Sequence, residues 1–122
     1  APHGTWVSGW PRSNRYLEMT ESIRVQIRDW VGELGALEPR LATRLALHVI
    51  ELHRTARKIT LDFSGAGAVS SSFANEFFVL LARVKPLDEW RDLLVFAGLA
   101  SSQAQVLAKS INAARRVATR SS

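Results

Sequence analysis

The chain has 122 residues, enough for one domain and too few for two. With 47% hydrophobic and 22% charged residues it matches an ordinary globular composition rather than a disordered one. It contains no cysteine, which excludes disulfides and thiolate metal sites. The net charge is +5 and the pI about 10.7, but residues 101–122 carry Lys109, Arg115, Arg116 and Arg120 with no acid, so the preceding part is nearly neutral.

Residues 1–20 read as an arm, with Trp6 and Trp10 set among Pro2, Gly4, Gly9 and Pro11 and a short strand expected over 5–8. Residues 1–10 have neither the basic nor the apolar region of a signal peptide. No apolar run approaches the roughly 18 to 20 residues needed to span a bilayer. A cytoplasmic location without membrane attachment is therefore expected. The domain proper is assigned to 21–116 and a basic tail to 117–122.

Residues 23–30 alternate: Ile23, Val25 and Ile27 face one way, Arg24, Gln26 and Arg28 the other. That period of two predicts a half-buried strand. Pro39 suits the first position of a helix, and Leu41, Leu45, Val49 and Leu52 follow at helical spacing. Residues 58–63 (KITLDF) read as a buried strand, followed by the small-residue turn Ser64, Gly65, Ala66 and Gly67. Ser70, Ser71 and Ser72 then precede the periodic run Phe73, Phe77, Leu80, Leu81 and Val84. One of these serines is a natural N-cap, since its hydroxyl can accept from an orphan backbone N–H. Pro86 stops this helix. A further strand over 92–97 leads past Gly98 to a last helix, capped by Ser101 or Ser102 and carrying Leu107 and Ile111 on its apolar face.

Alternating strands and helices imply an α/β domain with a mostly parallel sheet and right-handed crossovers. The expectation is a mixed sheet of four to five strands with about three main helices. In such a sheet, partners are met at the carboxyl ends of the strands. Here Asp62 ends a strand, a flexible loop follows, and three hydroxyls stand at a helix start, where the dipole favours negative charge.

The run from Asp62 to Phe77 resembles the phosphorylation loop of STAS domains, the fold of anti-sigma factor antagonists. Asp62, Phe63, Ser64 and Val69 match the first part of that motif, and Ser71 falls at the phosphorylated serine. Ser70 stands where the family has an acid, and Phe73 where it has glycine. The sequence Asp62-Phe63 followed by Ser72-Phe73-Ala74-Asn75-Glu76 is closer to the STAS-like domains of unknown function. The resemblance spans roughly residues 23–114. It implies a regulatory binding module without catalysis of its own. Its partner would be an ATPase of the histidine-kinase-like fold acting as a serine kinase, and phosphorylation of Ser71 would weaken docking. The implied docking loop comprises Asp62, Ser64, Ser70, Ser71, Ser72, Phe73, Asn75 and Glu76, together with the helix over 73–84.

No cofactor and no metal is expected. The histidines are His3, His48 and His53, and the last two stand five apart and do not share a helical face. Gly65-Ala66-Gly67 lacks the third glycine of a dinucleotide fingerprint. The alternative class is a nucleic-acid-associated or other signalling adaptor domain, resting on the basic tail.

Overall fold

A computed structural model describes residues 22–32 and 35–121, with side chains as far as Arg116. The elements in chain order are β1 (Ser22–Gln26), α1 (Ile27–Val31), α2 (Pro39–Leu52), β2 (Lys58–Asp62), α3 (Ser71–Val84), α4 (Leu87–Trp90), β3 (Leu94–Ala97) and α5 (Ser101–Ser121). Among the described residues the sheet has three strands, ordered β1-β2-β3 and all parallel, where a mixed sheet of four to five was expected. The strand expected over 5–8, the arm with its two tryptophans and His3 lie outside the described residues.

Central placement explains why β2 (KITLD) is buried except at Thr60, which is half-buried. Ile59 and Leu61 are fully buried on one face, in register with Ile23 and Val25 of β1 and with Leu94 and Phe96 of β3. A strand order that follows the sequence, joined by right-handed crossovers, places the connecting helices on that same face. There α3 packs between α2 and α5, and Phe78 meets Phe96 with ring centroids 6.1 Å apart. Each fully buried large side chain of this layer contributes about 2 kcal/mol relative to exposure. The other sheet face carries Arg24, Gln26, Thr60 and Asp62.

The expected strand over 23–30 is cut short, because β1 ends at Gln26 and α1 begins at Ile27. Ile27 and Val31 are both buried, so one inward residue serves the end of the alternation and the start of an i, i+4 helical pair. Gly32, at φ 74°, closes this turn. The Trp30 ring lies 4.6 Å from that of His48 and fastens α1 to α2. Pro86 does end α3, and it also opens the four-residue α4, which brings Trp90 into the core. The Trp90 indole N–H donates to the Leu81 carbonyl at 2.8 Å. Helix α5 continues through the segment expected as a tail, so the boundary at 117 falls within a helix. No helix among the described residues is long and apolar enough to cross a membrane.

Candidate functional site

The strands are parallel, so their carboxyl ends and the starts of the following helices meet on one edge of the molecule. The loop from β2 to α3 lies there. It is anchored from inside by Phe63 at 3% exposure and Ala66 at 1%. Gly65 and Gly67 take positive φ, which lets the loop turn between these anchors. Ala36 runs alongside as an isolated parallel bridge to Val69, donating to the Ala68 carbonyl and accepting from the Ser70 N–H, both at 2.8 Å. Gly35 makes the approach possible, since a Cβ there would stand 2.7 Å from the Ala68 oxygen.

Asp62 is buried and well partnered. Arg24 Nη1 donates to its Oδ2 at 2.6 Å, Gln26 Nε2 donates to the same oxygen at 3.4 Å, and the Ser64 N–H donates to Oδ1 at 2.9 Å. Burial pushes its pKa up, but the Ser64 N–H and hydroxyl and the Arg24 guanidinium outweigh that and hold it below the ordinary value of 3.8. Asp62 is therefore an ionised brace that ties β1 to the loop. Its hydrogen bonds to described residues do not reach Ser71. Gly98 completes the enclosure, because a Cβ there would fall 2.7 Å from Asp62 Oδ1 and 2.8 Å from the Ser64 nitrogen.

The three consecutive serines divide. Ser70 is the N-cap of α3: its hydroxyl accepts from the Phe73 N–H at 3.0 Å and donates to the Leu37 carbonyl at 2.9 Å. Ser71 and Ser72, the first two residues of α3, are exposed, as are Ser64 and Asn75. Glu76 is half-buried and stands beyond the first helical turn, where the dipole gives it little. Phe73, included in the expected docking loop, is 1% exposed and packs into the core.

Four residues of this edge were not singled out from the sequence: Arg24, Gln26, Gly98 and Gln103. Gln103 is 7% exposed and joins the start of α5 to the loop. Its Oε1 accepts from the Ala100 N–H at 2.7 Å and its Nε2 donates to the Gly67 carbonyl at 2.5 Å. The signal available was a Gln in the third helical position after two serines, where it can reach back to a free N–H.

The other candidates are spread apart. His48 lies against Trp30, whereas the His53 ring lies 5.0 Å from Trp90, with Nδ1 at the Ile50 carbonyl. Among the described residues no group of three or more His, Asp or Glu could hold a metal ion. Of the basic residues near the C-terminus, Arg115 pairs with Asp88 at 3.3 Å and Lys109 and Arg116 are exposed. The Arg120 side chain lies outside the described residues.

A family model described as a STAS-like domain of unknown function matches residues 42–104, from α2 to the first turn of α5. This stretch includes Asp62, the loop, the serines and Gln103. No curated protein and no solved structure matches the chain.

Proposed function

This chain belongs to the STAS-like domains of unknown function, and on that premise we propose that it is a cytoplasmic regulatory module that works by docking another protein rather than by turnover. The docking surface is the exposed part of the loop over 64–72 with the first turns of α3. The partner is an ATPase of the histidine-kinase-like fold acting as a serine kinase, as in the anti-sigma factor antagonists that the loop resembles. Phosphate on Ser71 switches the docking off.

One observation carries this reading: Ser71 is exposed at the first position of a 14-residue helix, directly after a braced loop. The first N–H groups of a helix have no intrahelical acceptor, and the dipole there favours negative charge. A phosphoserine adds nearly two negative charges and three strong acceptor oxygens. At this position its attachment is stabilised locally while its charge and bulk confront whatever docks. The departure from the family motif at residue 70 is compatible with this, because serine and aspartate both cap helices through a side-chain oxygen. The departure at residue 73 replaces glycine with a core side chain and leaves the serine before it outside.

The test is phosphosite mapping of the full chain after incubation with ATP and the purified ATPase. Modification confined to Ser71, and lost in Ser71→Ala, is the expected result. Modification at Ser64 or Ser72 with Ser71 untouched would contradict the assignment.

A further inference from the structure

Gln103 makes two hydrogen bonds with different jobs. Its oxygen serves the start of α5, by accepting from Ala100. Its amide nitrogen serves the loop, by donating to Gly67 from 36 residues away. The loop is thereby held from two sides. Ala36 binds the Ala68 carbonyl and the Ser70 N–H, and Gln103 binds the carbonyl immediately before. Gly67 has a positive φ of 78° and is exposed, so neither local sterics nor burial otherwise fixes the direction of its carbonyl. The bond links α5 to the surface presented by residues 64–72.

We propose that Gln103 is the positioning residue of the docking loop: by holding the Gly67 carbonyl from the first turn of α5, it sets the pose in which Ser64, Ser71 and their neighbours meet the partner. The inference rests on the docking reading for its consequence, though the positioning itself is measurable without a partner. A loop ordered in advance loses less entropy on association, so the bond acts on affinity without touching the bound protein.

Two substitutions in the full chain separate the jobs. Gln103→Glu keeps the oxygen that accepts from Ala100 and removes the donor to Gly67. Gln103→Met removes both. Hydrogen exchange at the Ala36 and Ser70 amides reports the loop, and exchange at the Ala104 amide, which donates to the Ala100 carbonyl, reports the start of α5. Both variants should speed loop exchange by roughly three- to tenfold, the effect of one net hydrogen bond. In Gln103→Glu the Ala104 amide should stay at its wild-type rate. Affinity for the purified ATPase should fall by a similar factor in both. Wild-type loop exchange in Gln103→Glu would reduce Gln103 to a helix cap and overturn the proposal. Quickened exchange with unchanged affinity would overturn its role in docking, while the Ser71 charge variants still report separately on docking itself.

Discussion

At the scale of the residue, Asp62 stands at the end of β2, and its charge is engaged by Arg24, Gln26 and Ser64. A carboxyl whose folded pKa is depressed contributes stability that is complete above its unfolded value and is lost as pH falls through the folded one. The urea midpoint should therefore decline with acidification below about pH 4, and Asp62→Asn should flatten that decline and lower the midpoint at neutral pH. Gly98 is a second tightly constrained position. An alanine there takes a positive φ of 67° and presses on Asp62 and Ser64, so Gly98→Ala should cost about 1–3 kcal/mol in denaturant unfolding. The Ser64 partner is local and follows from an acid ahead of a turn, but the Arg24 pairing was not legible, because Arg24 lies 38 residues from Asp62 and no local pattern records it.

At the scale of the element, α3 was the most legible part of the chain. Its phenylalanine and leucine spacing, its serine cap and its stop at Pro86 all have local causes, and all are found. The cap leads to a prediction that separates neighbouring serines. Ser70→Ala removes the bond from the Phe73 N–H and the bond to Leu37, and should cost about 1–2 kcal/mol. Ser71→Ala changes an exposed hydroxyl and should stay within about 0.5 kcal/mol of wild type. Thermal unfolding of the two variants side by side checks both. Shorter elements were less legible. Ile27 satisfies a strand alternation and a helical turn equally, so periodicity could not place the end of β1. Helix α4 has four residues, less than the window any periodic pattern needs, and only the tertiary burial of Trp90 reveals it.

At the scale of the whole molecule, the alternation of strands and helices was enough to give a parallel sheet with its helix starts gathered on one edge. That gathering builds the candidate site: β1, the β2–α3 loop and Gly98 converge on Asp62 and Ser64, and the start of α5 reaches the loop at Gly67. The exposed hydroxyls were readable because helix N-termini have a local chemistry. The braces behind them were not, because they come from separate elements brought together only by folding. The central claim is that charge at Ser71 governs docking. Isothermal titration of the purified histidine-kinase-like ATPase with wild type, Ser71→Ala and Ser71→Asp tests it most directly. The alanine form should bind as the wild type does, and the aspartate form at least about tenfold more weakly, as a charge left unpaired at a contact costs more than about 1 kcal/mol. Equal affinities across the three forms, or no binding by any of them, would contradict the account.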